Sequence, residues 1–100
     1  MIFVYVTFSN NKEAQKITMH LLKKRLIACA NMFPIQSIYW WKGKIANDRE
    51  VAAILKTSKK NLKKVESETK KLHSYDTPCI ISWSVYPNFE YKKWLINELF

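Results

Sequence analysis

A single glycine, Gly43, sits between two long apolar and aromatic runs, Ile27 to Trp41 and Ile45 to Thr57. Glycine reaches positive φ without steric cost, so a lone glycine between strand-formers reads as a hairpin turn, here Trp41-Lys42-Gly43-Lys44. Both arms exceed the usual strand of about five or six residues. Arms longer than their own sheet project from it with unpaired edges, and such edges find partners. The hairpin therefore predicts an oligomer. Pro34 cannot donate to a ladder, which marks the first arm as an edge strand or a bulge. Asn47-Asp48 are expected to loosen the tip. Trp40 and Trp41 are adjacent, so they point to opposite sheet faces. One is expected to pack inward and the other to enter a subunit interface.

The remaining segments alternate in period. Residues 2–8 are β-branched and aromatic, a buried strand. Asn10 and Glu13 form a capping-box pattern, and Ala14, Ile17, Thr18, Leu21 and Leu22 recur at helical spacing up to about Arg25. After the hairpin, Ser58 is expected to cap a second helix with Leu62, Val65, Thr69 and Leu72 as its inner stripe. Residues 73–78 read as a loop and residues 79–86 as a strand. Asn88 is expected to cap a last helix with Tyr91, Trp94, Leu95 and Leu99 on its apolar face. The order predicts an α+β chain: a ferredoxin-like βαββαβ sandwich with a long projecting hairpin and a C-terminal helix. Helices on one side cannot bury apolar residues on both faces of the sheet, so the last helix or neighbouring subunits must cover the rest.

The length of 100 residues sets one domain, 1–100, large enough to bury a core without staples. Cys29 and Cys79 both lie inside apolar runs, which implies reduced thiols and a cytoplasmic setting. No signal-peptide pattern opens the chain and no apolar run is long enough for a bilayer, so no membrane partner is expected. The formal net charge of +9 comes mostly from lysine. Lys59, Lys60, Lys63, Lys64, Lys70 and Lys71 fall opposite the stripe of the second helix, as a solvated face would require.

Five segments carry a family resemblance: Arg25-Leu26-Ile27-Ala28-Cys29-Ala30-Asn31, Ser37-Ile38-Tyr39-Trp40-Trp41-Lys42-Gly43-Lys44, Glu50-Val51 with Ile54-Leu55-Lys56-Thr57, Leu72-His73-Ser74-Tyr75-Asp76-Thr77-Pro78, and Tyr91 with Trp94-Leu95. In this order they resemble the CutA family of divalent-cation-tolerance proteins over essentially the whole chain. The resemblance implies a compact homotrimer packed through the long hairpins, and association with copper and other divalent metal ions. Three positions depart from the family pattern. Ser74 stands where proline usually follows the histidine, Cys79 stands where an acidic residue usually follows the later proline, and Val6 precedes Thr7 where some members carry cysteine.

The soft or borderline metal ligands are Cys29, Cys79, His20, His73 and the methionines, none in a paired-ligand spacing. Copper favours sulfur and imidazole, so His73, Cys29 and Cys79 are the candidate ligands, with Asp76 as a possible orienter of His73. His20 falls on the polar side of its helix and is expected to be solvated. Tyr39, Trp41, Lys56, Tyr75 and Asp76 belong to the family-like segments and form a candidate interface pocket, in which Lys56 either pairs with a carboxylate, Asp76 or Glu50, or lines the pocket. There is no serine-histidine-acid set, no paired catalytic carboxylates and, with one glycine, no phosphate cradle, so binding is expected rather than catalysis.

Three other readings share the topology. An RNA-recognition motif needs aromatics on the third strand, and residues 45–57 have none. Any nucleic-acid binding through the lysine-rich helix would then be weak and non-specific. A trimeric nitrogen-signalling regulator presents a long loop between the second and third strands, which the Trp41–Lys44 turn leaves no room for. A regulatory trimer binding a small molecule or a partner protein stays open.

Overall fold

The computed structural model spans residues 1–100. Strand β1 is Ile2–Phe8 and helix α1 is Asn11–Lys23. The long hairpin is β2, Cys29–Trp41, and β3, Lys44–Thr57. A single 3-10 turn, Lys59–Asn61, leads into α2, Leu62–Leu72. Strand β4 is Ile80–Ser84 and α3 is Phe89–Glu98. The sheet order is β2-β3-β1-β4 with every neighbouring pair antiparallel, the arrangement expected from the order of elements.

Period-2 alternation decides which side of β1 is buried. Ile2, Val4, Val6 and Phe8 point under the helices, where they meet Ala14, Ile17 and Leu21 of α1, Val65 of α2, and Ala53 and Leu55 of β3. Phe3, Tyr5 and Thr7 point to the other face and are only half-buried. At one end of that face α3 packs with Leu95 buried, and the Phe100 N–H donates to the Arg25 carbonyl at 2.8 Å. The rest of the face is uncovered by the chain itself.

Capping follows the sequence at α1 and departs from it later. Asn10 is extended and its Oδ1 accepts from the Glu13 N–H at 2.9 Å. The Glu13 carboxylate reaches back past the cap to Ser9, accepting from its N–H at 3.1 Å and its hydroxyl at 3.0 Å. Ser58 makes no capping bond, because the 3-10 turn comes between it and α2. Asn88 makes none either, and its side chain donates to Glu90 at 3.3 Å.

The hairpin ladder is continuous from Cys29↔Lys56 to Trp41↔Lys44. Lys42 and Gly43 have φ of 50° and 76°, so the two-residue turn has both central positions left-handed, as a type I′ hairpin requires. Pro34 sits on β2, an edge strand. Asn47 and Asp48 do not loosen the tip. Gln36 Nε2 donates to Asn47 Oδ1 at 3.0 Å and the Tyr39 hydroxyl to Asp48 Oδ2 at 2.6 Å, tying the two arms together. Strand β1 pairs only with Val51–Thr57, so Lys44–Glu50 is held by β2 alone. The molecule is 45 Å long and 24 by 20 Å across. Neither tryptophan packs inward: Trp40 is 74% and Trp41 57% exposed, because the arm outruns the helices that form the core.

Candidate functional site

The pleat and the register place Glu50, Asp48, Tyr39, Tyr5, Lys56 and Cys29 on the sheet face away from α1 and α2. Cys79 lies just ahead of Ile80, whose partner on β1 is Val6, so it falls beside Thr7. Glu50 is the centre of this face. It accepts from the Tyr75 hydroxyl at 2.6 Å. Burial, and then the bond to Glu50, push the Tyr75 phenol well above its ordinary pKa. The Tyr39 phenol is raised by its hydrogen bond to Asp48. The Tyr5 phenol is raised by burial and then by the nearby Cys79 and Glu50 charges. One sheet end therefore gathers three phenols, two carboxylates and a thiol.

Residues 73–78 are pinned against that end by His73. The Tyr75 N–H donates to His73 Nδ1 at 3.1 Å, which leaves Nε2–H to donate to the Thr7 carbonyl at 2.7 Å. The ring stacks on Phe8 with centroids 5.2 Å apart and planes 12° apart. Ser74, in place of the family-like proline, donates its N–H to Glu13 Oε2 at 2.8 Å, a bond proline cannot make. Burial alone would raise the Glu13 carboxyl, but the bonds from Ser74 and Ser9 outweigh it and hold it below the usual range.

The sequence-expected residues fall in separate places. Tyr39 and Tyr75 join at the Glu50 end. Trp41 lies at the hairpin tip. Asp76 is exposed and lines a shallow depression with Glu66 and Lys70. Lys56 pairs with neither Asp76 nor Glu50. Its Nζ donates to the Tyr91 hydroxyl at 3.2 Å and lies 5.9 Å from the Phe3 ring centroid and 5.2 Å from that of Tyr91. Glu50 is six residues back along β3, about 20 Å away. Among the expected metal ligands, His73 has both ring nitrogens engaged. Cys29, beside Lys56, is separated from Cys79 by three strand spacings and about four residues, roughly 20 Å. No three His, Cys, Asp or Glu side chains of one chain come together as a metal site.

A second charged centre, on the helix side, was not visible in the sequence. Glu68 of α2 lies 2.6 Å from Lys24 Nζ, 3.1 Å from His20 Nε2 and 3.1 Å from Lys71 Nζ, with its side chain 13% exposed. His20 is thus hydrogen-bonded to Glu68 across the two helices rather than simply solvated. The hydrogen bond from Lys24, then those from His20 and Lys71, hold the Glu68 carboxyl down at about 2. A carboxylate depressed in the folded state adds stability at pH above its unfolded pKa, and that stability is lost as pH falls toward the folded value. Between about pH 4.5 and 2 the wild type should therefore lose resistance to urea more steeply than Glu68→Gln. Glu13 leaves the variant some residual slope. Parallel acid limbs for the two proteins would show that the Glu68 cluster is not coupled to folding.

Comparison with known proteins bears on the same elements. The chain matches the family model described as CutA1 divalent ion tolerance protein over residues 2–98. It is 48% identical over 99 residues to the divalent-cation tolerance protein CutA of Pyrococcus horikoshii, covering 98% of this chain and 97% of the relative. The Thermotoga maritima protein of the same name is 50% identical over 96 residues, covering 95% of each. Among solved structures, CutA1 from Pyrococcus horikoshii superposes with a TM-score of 0.96 at 47% identity, over 99% of this chain and 98% of that one. The CutA structure from Archaeoglobus fulgidus, described as periplasmic, superposes with a TM-score of 0.95 at 40% identity over 98% of each chain.

Proposed function

The chain belongs to the CutA1 divalent ion tolerance family, and from that premise we propose that it is a homotrimer that binds divalent cations, copper among them, and is not an enzyme. The observation that carries the reading is the uncovered sheet face with its gathered phenols, carboxylates and thiol. Trp40, Trp41, Ile38 and Ile45 are at least 57% exposed on a hairpin that the chain's own core does not reach. Apolar area of this kind is buried in obligate interfaces, which often exceed about 2,000 Å². By the pleat Trp41 shares the Glu50 face while Ile38, Trp40 and Ile45 point to the other, so subunits packed around both faces of the hairpin would enclose the Glu50 end and could add the ligands that one chain lacks.

Within the proposed site Cys79 and Glu50 are the better-placed ligands. Both lie close enough to Tyr5 to raise its pKa. A thiolate with a carboxylate suits copper better than carboxylates alone. His73 would have to give up a hydrogen bond to bind metal, and Cys29 lies at the other end of the sheet. The two cysteines are free and too far apart to pair, which suits a reducing compartment, and we place the protein in the cytoplasm. No helix is long and apolar enough to cross a membrane.

Calorimetric copper titration tests the site. Cys79→Ser and Glu50→Gln should each weaken copper binding at least about tenfold, or about 1.4 kcal/mol. Cys29→Ser, at a remote position, should leave it within about twofold. Equal affinity in all four proteins would remove these side chains from the site.

A further inference from the structure

We infer that the lysine-lined groove running from the end of α1 along the 3-10 turn and α2 binds a linear inorganic polyphosphate. The groove has a volume of about 880 Å³ and twelve lining residues, of which seven are basic and only Glu68 is acidic. Glu68 is already committed to His20, Lys24 and Lys71, and Arg25 is paired with Glu98 at 3.0 Å. Lys23, Lys60, Lys63 and Lys64 remain exposed with no carboxylate within 4 Å. Four unneutralised cations on one concave surface, drawn from α1, the 3-10 turn and α2, repel each other and raise the local potential. An anionic occupant relieves that repulsion.

The dimensions and the lining select the occupant. Lys60 to Lys71 spans eleven residues, about 16 Å at the helical rise. A single phosphate could meet only part of such a stripe, whereas a linear polyanion follows it. Single-stranded nucleic acid would ask for a row of aromatic platforms. The groove offers only Phe100, with Leu26 as its other apolar residue. Lysines act as point charges toward phosphate and do not fix a planar, bidentate partner. An unbroken phosphate chain carries a charge on every unit and no bases to accommodate. The inference is independent of the proposed cation site, which lies on the opposite face of the sheet.

The test is calorimetric titration of the intact protein with linear inorganic polyphosphate, with a single-stranded RNA of matched charge as a second arm. The triple variant Lys60→Gln, Lys63→Gln, Lys64→Gln is compared with Lys12→Gln, Lys16→Gln, Lys92→Gln, which removes the same charge at exposed positions elsewhere. At about 50 mM salt the groove variant should bind at least tenfold more weakly than wild type, and the control should stay within about threefold. The slope of log affinity against log salt should shrink by about 0.7 for each phosphate contact removed. All substituted lysines are exposed, and melting temperatures report that the variants fold. The single variants Lys60→Gln and Lys64→Gln should show smaller losses in the same direction. Equal losses in groove and control variants, no binding of polyphosphate by wild type at low salt, or tighter binding of the RNA would each overturn the inference.

Discussion

Replacing Trp40 and Trp41 together with alanine should separate the subunits of the proposed homotrimer while the chain stays folded. Both side chains stand on ladder positions next to Lys44 that only the hairpin itself supports, and they are 74% and 57% exposed, with Lys42 Nζ 5.7 Å from the Trp41 centroid. Removing them therefore costs the isolated chain little. In an assembly each indole would bury on the order of 150–250 Å². Aromatic anchors at interface centres typically cost about 2 kcal/mol or more on truncation. Two per subunit should raise the dissociation constant by about a thousandfold. The core of Val4, Val6, Phe8 and Leu55 is untouched, so far-ultraviolet circular dichroism should hold its native shape. Sedimentation velocity across a concentration series reads the loss of assembly. A variant that sediments as wild type and melts at the same temperature would place these rings outside the interface.

The second large effect concerns His73. His73→Ala removes the acceptor of the Tyr75 N–H, the donor to the Thr7 carbonyl, and the ring stacked on fully buried Phe8. Two lost hydrogen bonds, plus a cavity against the core, should cost about 2–4 kcal/mol. Chemical denaturation measures it, and His73→Gln, which can restore one bond, should recover part of the loss. If copper occupies the proposed Cys79 and Glu50 site, its affinity should fall by less than about threefold, because both ring nitrogens of His73 are engaged in holding the loop. The reverse pattern, unchanged stability with copper binding reduced tenfold or more, would make His73 a ligand and its bonds to Thr7 and Tyr75 incidental.

Much of the fold was legible because its causes are local. The alternation of residues 2–8, the Asn10 cap and the turn at Gly43 depend on neighbours a few residues away, and the structure places each as the pattern requires. Errors arose where the deciding partner is distant or absent. Helical spacing puts His20 on a polar face but cannot show that Glu68, 48 residues on, waits opposite it. Alternation assigns Lys56 to the open face without revealing that Tyr91 of α3 will meet its ammonium group. Adjacency puts the two tryptophans on opposite faces, but their exposure depends on how far β2 outruns the helices. The scattering of Tyr39, Trp41, Lys56, Tyr75 and Asp76 has a further cause. The five share only membership of family-like segments, and a shared segment pattern does not require proximity within one chain.

Native mass spectrometry with and without added copper tests the central proposal most directly, since it reads subunit number and metal stoichiometry in one spectrum. The expected species has three times the 11.9 kDa chain mass, with copper adding in step with the number of equivalent sites. A monomer at micromolar concentration that takes up no copper would contradict the proposal.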